Sequence, residues 1–143
     1  DILIVKRAQG DGHLLFNLSV GSRIPIATTS AGWAYLAGLP SRTREETLQK
    51  LRYQAGNRWT ALRTAVEAAA TNMETNGFVF NEGLYHPDVN AVAAASFDKQ
   101  GKPQYVVSCG GPNLKPKLLR EEIGPRIGRL ARKITVALAG RPN

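Results

Sequence analysis

Asn90-Ala91-Val92-Ala93-Ala94-Ala95-Ser96-Phe97, Asp98-Lys99-Gln100-Gly101 and Gln104-Tyr105-Val106-Val107-Ser108-Cys109 decide the fold class. The middle tetrapeptide is a turn sequence, and the apolar runs on either side are strand-like, so the stretch reads as an antiparallel hairpin. The alanines of 90–97 imply a strand packed closely on both faces, or against a ligand. Upstream, Phe78-Val79-Phe80-Asn81 adds a third strand candidate. Before it, Leu62, Ala65, Val66, Ala69 and Met73 recur at helical spacing over 61–75, closed by Asn76-Gly77.

Downstream, Gly110-Gly111-Pro112 is expected to break the last strand. A final helix over about 117–139 follows, with Ile123, Ile127, Leu130, Ile134 and Leu138 as its buried stripe. Pro125 should kink it or mark its effective start. Toward the N-terminus, 2–8 and 13–20 read as strands joined at Gly10-Asp11-Gly12, with 21–25 as loop. Residues 27–38 look helical, capped by Thr28, Thr29 or Ser30 and ended by Gly38 and Pro40. Thr43-Arg44-Glu45-Glu46 reads as a capping box opening a helix that turns Leu48 and Leu51 inward. Hairpin-linked strands with helices before and after them predict an α+β single domain: helices packed on an antiparallel sheet.

The chain has 143 residues, 43% of them hydrophobic, which is globular composition and one domain by length. A single cysteine, Cys109, excludes an internal disulfide framework and a Cys-rich zinc site, and points to the cytoplasm. No apolar run reaches the length of a membrane span, and no signal peptide is visible. The start at Asp1, in strand-like sequence without a Met, reads as a fragment of something longer. Nineteen Lys and Arg against 11 Asp and Glu give +8, which raises nucleic acid, an anionic ligand or an acidic partner as possibilities. Seven of those cations lie between Lys115 and Lys133, against Glu121 and Glu122 alone, and a mixed cluster runs from Arg42 to Arg63. Neither is interleaved with aromatics, so a solvated helix face is the plainer reading of each.

Catalytic chemistry is searched for with little return. There is no Gly-x-Ser-x-Gly elbow, and the two histidines, His13 and His86, have no metal-ligand spacing. Glu45-Glu46 and Glu121-Glu122 are adjacent on helices and so do not face each other as acid–base dyads. Glu82 and Asp88 read as solvated loop acids, and Cys109 as packing rather than as a thiolate. A binding site is better supported. Ser30-Ala31-Gly32 gives small residues and free N–H groups at a helix start, which suits a carboxylate. Ser108 and Gly110 form a second small, polar strand end, and Phe16, Trp33, Tyr35, Phe78 and Phe80 could wall a cavity between them. The same small residues are equally compatible with plain close packing.

Taken together, residues 21–37 (Gly-Ser-Arg-Ile-Pro-Ile-Ala-Thr-Thr-Ser-Ala-Gly-Trp-Ala-Tyr-Leu-Ala) resemble the opening of the ligand domain in the IclR family of bacterial transcription regulators. Gly77-Phe78-Val79-Phe80-Asn81-Glu82-Gly83, Asn90 to Asp98 and Val107-Ser108-Cys109-Gly110-Gly111-Pro112 resemble three further family segments, in order and spacing. The closing helix with Ala131-Arg132-Lys133-Ile134 also fits, so the resemblance covers about residues 3–140.

The resemblance implies an effector-binding domain with a curved antiparallel sheet and GAF-like architecture. It also implies an N-terminal winged helix-turn-helix that binds operator DNA and is absent from this chain, and pairing into dimers or tetramers. By the same resemblance the effector positions are His13, Phe16 and Ile24, Ser30 and Ala31 at the helix start, Asn81 and Ala91 on the sheet, and Ser108 and Gly110 at the strand end. Gly110 stands where relatives carry a hydroxyl, Ala95 where they carry Pro and Trp33 where Lys is common. These departures point to a ligand larger or less polar than a small keto acid, such as an aromatic carboxylate, with His13 or Arg23 supplying positive charge. No cofactor or metal is implied. The competing classes are a small redox enzyme on a GAF-like scaffold, which lacks a second cysteine and a cofactor signature, and a stand-alone basic nucleic-acid binder.

Overall fold

The computed structural model describes residues 1–9, 18–83 and 86–140. They begin with two short strands, β1 (Ile2–Leu3) and β2 (Arg23–Ile24), followed by the helices α1 (Ser30–Gly38), α2 (Ser41–Ala55) and α3 (Trp59–Asn76). Three longer strands come next, β3 (Val79–Glu82), β4 (Val89–Phe97) and β5 (Pro103–Pro112). The chain closes with a helical turn α4 (Pro116–Leu118), a π-helical turn over Leu119–Ile123 and α5 (Gly124–Ala139).

The hairpin forms as its sequence predicts. Asp98 Oδ1 accepts from the backbone N–H groups of Gln100 and Lys102, both at 2.9 Å, and Gly101 takes φ +74°. The sheet order is β3-β4-β5, antiparallel throughout. Its register aligns Asn81, Ala91 and Gly110 in one row and Val79, Ala93 and Ser108 in the next. Side chains alternate across a strand, so these rows share one face, and Val92, Ala94 and Cys109 share the other.

Both faces are covered. Val79 and Ala93 pack with Trp33, Ala34 and Leu36 of α1 and with Leu62, Val66 and Ala69 of α3. Val92 and Ala94 pack with Phe78, Leu119 and Ala131. The alanine-rich strand is therefore the middle layer of a helix–sheet–helix sandwich, and the α+β class is as expected.

The structure corrects several local expectations. The partner of β1 is Arg23–Ile24, inside the segment read as loop, with Ile2 opposite Ile24. Most of the expected strand 13–20 lies outside the described residues, and residues 18–20 are not in a strand. Thr43 is not an N-cap: α2 starts two residues earlier at Ser41, after Pro40, whose fixed φ favours a helix entry. Gly110, Gly111 and Pro112 do not break β5 but extend it, because Pro112 ends the ladder where no further N–H is needed.

The expected stripe on the last helix holds in part: Ile123 and Ile127 pack against the core with Leu119 and Ala131, but Leu130 does not. Gly124, Gly128 and Ala131 are the buried positions and Leu130 is 45% exposed. A π turn precedes Gly124, and the face that α5 presents to the sheet runs through Gly124, Gly128 and Ala131 with Ile123 and Ile127 beside it. Small residues suit that face: a Cβ on Gly124 would lie 2.3 Å from the Phe78 ring.

Arg63 ties α3 to α2, its Nη1 and Nη2 donating to the two carboxylate oxygens of Glu45 at 3.1 and 3.2 Å, and its Nε to Glu67 at 2.9 Å. The hydrogen bonds from Arg63 hold the Glu45 carboxyl below the ordinary glutamate range.

Leu119, the first residue of the π turn and fully buried against the sheet, should cost about 2–5 kcal/mol when replaced by Ala. Gly124→Ala should cost about 1–3 kcal/mol by overpacking against Phe78. Urea denaturation reads both, and a loss within error at Leu119 would detach α5 from the cooperative core.

Candidate functional site

Of the residues proposed from sequence, Asn81, Ala91, Ser108 and Gly110 share the sheet face that α1 covers, and Ser30 and Ala31 open α1 itself. The entry to α1 is fixed by its own backbone chemistry. Thr29 caps the helix: its Oγ1 accepts from Gly32 N–H at 3.1 Å and donates to Pro25 carbonyl at 2.6 Å. Gly32 is required by the approach of Ile26, whose carbonyl oxygen would sit 1.9 Å from any Cβ at that position. Trp33 Nε1 donates to Ala27 carbonyl at 2.7 Å and locks the same turn.

The first-turn N–H groups of Ser30 and Ala31 have no protein acceptor among the described residues, although both residues are only 4% exposed. Two orphan donors at the positive end of a helix dipole favour an anion. Among the described residues, no ionised side chain bonds to this turn.

Asn81 joins the helix entry to the sheet. It is 2% exposed and its Nδ2 donates to Thr28 carbonyl at 2.8 Å. Its row continues through Ala91 to Gly110, and Ser108 lies one row along on the same face. A Cβ at Gly110 would come within 2.7 Å of the Ala91 Cβ, so this position accepts no side chain without movement of β4. Ser108 and Gly110 are exposed, so the arrangement is open on its β5 side.

Ile24 is half-buried in β2 and leads directly into the Pro25–Thr29 turn. Arg23, its neighbour, is exposed. His13 and Phe16 lie outside the described residues. Trp33 and Tyr35 are on the α1 side as expected, but Phe78 and Phe80 are not walls of this site. They pack on the opposite face with Leu119 and Ala131, because β3 alternates and Asn81 takes the α1 side.

Phe80 instead carries the Arg120 guanidinium 4.3 Å over its ring, and Arg120 also reaches Glu82 at 3.4 Å. Sequence reasoning missed this stack, because the separation of 38 residues between Arg120 and Glu82 leaves no local signal. The acids singled out from sequence thus pair at the surface, Glu82 with Arg120 and Asp88 with His86 at 3.9 Å. Among the described residues, no group of three or more His, Cys, Asp or Glu could hold a metal ion.

Together these features define an α+β domain whose central sheet meets a donor-bearing helix start. The family described as "Bacterial transcriptional regulator IclR C-terminal" matches residues 1–136. The chain belongs to the IclR family, as its C-terminal domain, and the family is one of transcription regulators rather than enzymes.

Among its relatives is the HTH-type transcriptional regulator TsaQ1/TsaQ2 of Comamonas testosteroni, 29% identical over 99% of this chain and 52% of that protein. Among solved structures, an IclR family transcriptional regulator from Brucella abortus superposes with TM-score 0.82 at 32% identity, over 92% of this chain and 50% of that one. The IclR of Thermotoga maritima shares the fold, with TM-score 0.77 at 18% identity over 92% of this chain and 54% of that one. So does the inducer-binding domain of a PobR double mutant from Acinetobacter in complex with 3-hydroxybenzoic acid, with TM-score 0.63 at 20% identity over 82% of this chain and 69% of that one. The chain thus spans about half the length of the curated relative it matches. No helix among the described residues is long and apolar enough to cross a membrane.

Cys109 lies on the α5 face of the sheet, and burial pushes its thiol above the ordinary cysteine range. Alkylation by iodoacetamide should therefore be slow at pH 7–8 and accelerate only at higher pH than for a free cysteine. The sign for stability follows: the neutral thiol favours the fold below the unfolded-state pKa, and that contribution is lost as pH rises through the folded-state value. Alkylation as fast as that of an unfolded control at pH 7 would contradict the burial of this thiol.

Proposed function

We propose that the chain is the effector-sensing domain of an IclR-type transcription regulator, and that it binds an organic carboxylate, aromatic rather than a small keto acid. One observation carries the reading: among the described residues, the N–H groups of the buried Ser30 and Ala31 meet no acceptor, beside a helix entry held to the sheet by Asn81. A carboxylate placed there would accept from both donors and meet the positive end of α1. The carbons would lie toward Ala91, Ser108 and Gly110, with Ile24, His13 and Phe16 closing the site.

The aromatic preference is supported by the missing side chain at Gly110, which removes a polar anchor. It is also supported by the 3-hydroxybenzoic acid held by the related PobR domain. In the full-length regulator, an N-terminal winged helix-turn-helix would read operator DNA, and sensing domains would pair into dimers or tetramers in the cytoplasm. The ligand would act by favouring one arrangement of the two reading heads, which requires different affinities for the arrangements.

A thermal-shift panel of small carboxylates including 3-hydroxybenzoate tests the reading. A ligand at 100 times its Kd should add about 2.7 kcal/mol of stability. Ser108→Leu should abolish that shift while leaving the fold and its unliganded Tm close to wild type. No stabilisation by any carboxylate at millimolar concentration would overturn the proposal, and an undiminished shift in the variant would remove Ser108 from the site.

The isolated chain should also fail to bind an operator-length duplex tightly at physiological salt. Submicromolar affinity in a gel shift would favour the nucleic-acid-binding reading of its +8 charge.

A further inference from the structure

The net positive charge is not spread evenly once the ion pairs are assigned. On α2 and α3, Arg42 is paired with Glu46 and Arg63 with Glu45 and Glu67, and the cations there without an ion pair among the described residues, Arg44, Lys50 and Arg52, share those two helices with four acids. Arg120 is paired with Glu82. From Gly124 to Ala139, α5 holds four cations, Arg126, Arg129, Arg132 and Lys133, and no acid. Among the described residues, none of these four has a carboxylate within ion-pair distance.

Arg126, Arg129 and Lys133 recur at helical spacing on the side away from Gly124, Gly128 and Ala131, the residues that pack on the sheet. They border a shallow groove of about 160 Å³ whose floor is Leu130. At 1.5 Å rise per residue, the three charges span roughly 10 Å along the helix.

We propose that this solvent face of α5 contacts the phosphate backbone of duplex DNA without reading sequence. Three arguments favour that occupant. A single-sign row of unpaired cations complements a uniform polyanion, which presents about one charge per 1.7 Å of duplex axis. Phosphate contacts come characteristically from Arg and Lys and carry no sequence information. A protein partner would look for aromatic anchors and few lysines, and α5 has no aromatic residue at all. A second copy of the same face is disfavoured, because a twofold contact would bring three cations against three. The face lies across the sheet from the α1 entry, so effector and DNA backbone can be held together. Backbone contact here is weak and salt-sensitive, which is compatible with the absence of tight binding at physiological salt.

The test is fluorescence anisotropy of the chain with a labelled 20-base-pair duplex of arbitrary sequence, titrated over about 20–100 mM salt. Micromolar binding is expected at the low end. The triple variant Arg126→Gln, Arg129→Gln, Lys133→Gln should weaken it at least about tenfold and reduce the steepness of log K against log salt by about 2.7. A triple variant of equal charge loss at the α2–α3 corner, Lys50→Gln, Arg52→Gln, Arg58→Gln, should retain wild-type binding within about twofold.

Equal losses in the two variants would reduce the effect to net charge and overturn the proposal, as would no binding at 20 mM salt. Binding to polyglutamate that is tighter than to duplex and lost in the α5 variant would reassign the face to an acidic protein. Amide chemical-shift mapping of the unsubstituted chain with the same duplex guards against misfolded variants. Shifts confined to residues 126–137 support the proposal, and shifts confined elsewhere overturn it.

Discussion

The structure depends on how closely two helical layers can approach β4. Val92, Ala93, Ala94 and Ala95 are all 5% exposed or less, and each points to a different helix from its neighbour. A strand with large residues on both faces would hold α1 and α5 further away and lose the dispersion contacts of a dense interior. The same economy appears on the helices. Gly32 lets Ile26 lie against α1, and Gly124 lets the Phe78 ring lie against α5. Small residues at these contacts are thus a single constraint met in three elements.

That constraint is also what prepares the helix start. Because Gly32 admits the Ile26 backbone, the turn that leads into α1 is drawn against the helix, half-buried at Ile26, Ala27 and Thr28 and buried at Thr29. Burial normally demands that backbone donors be satisfied. Thr29 satisfies Gly32, Asn81 satisfies the Thr28 carbonyl, and Trp33 satisfies Ala27. Among the described residues, the N–H groups of Ser30 and Ala31 meet no acceptor, at the point where the helix dipole is positive. Donors left in this way by tight packing are what the proposed carboxylate would complete.

Much of this was legible in the sequence, and the failures have physical causes. The hairpin, α1 with its threonine cap and α3 with its αL Gly77 were readable because turn chemistry and helical period are local. Leu48 and Leu51 were correctly placed inward although the start of α2 was not, since burial follows the period whatever residue caps it. Strand pairing is not local, so the partner of β1 was missed in favour of nearer residues. On α5 the stripe was right at Ile127 and wrong at Leu130, because period alone does not say that Gly124, Gly128 and Ala131 make the closest approach to the sheet. Phe78 and Phe80 were assigned to the wrong face because alternation fixes which residues share a face but not which layer that face meets.

The distribution of charge follows from the same layering. Glu45 reaches Arg63 because α2 and α3 pack side by side at the surface, and Glu67 reaches it from one turn along α3, so that guanidinium is neutralised there. The last helix has no helical neighbour among the described residues on its outer side, and its sequence supplies no acid of its own. Its cations therefore stay unneutralised, and the field of the domain points away from the sheet on the side opposite the α1 entry. An anion approaching from solution meets the α5 face first, while the donors of Ser30 and Ala31 act only at contact distance, since a helix dipole fades within one turn. The domain thus separates a long-range, salt-screened attraction on one side from a short-range, geometrically selective one on the other, and the alanine-rich strand is the wall between them.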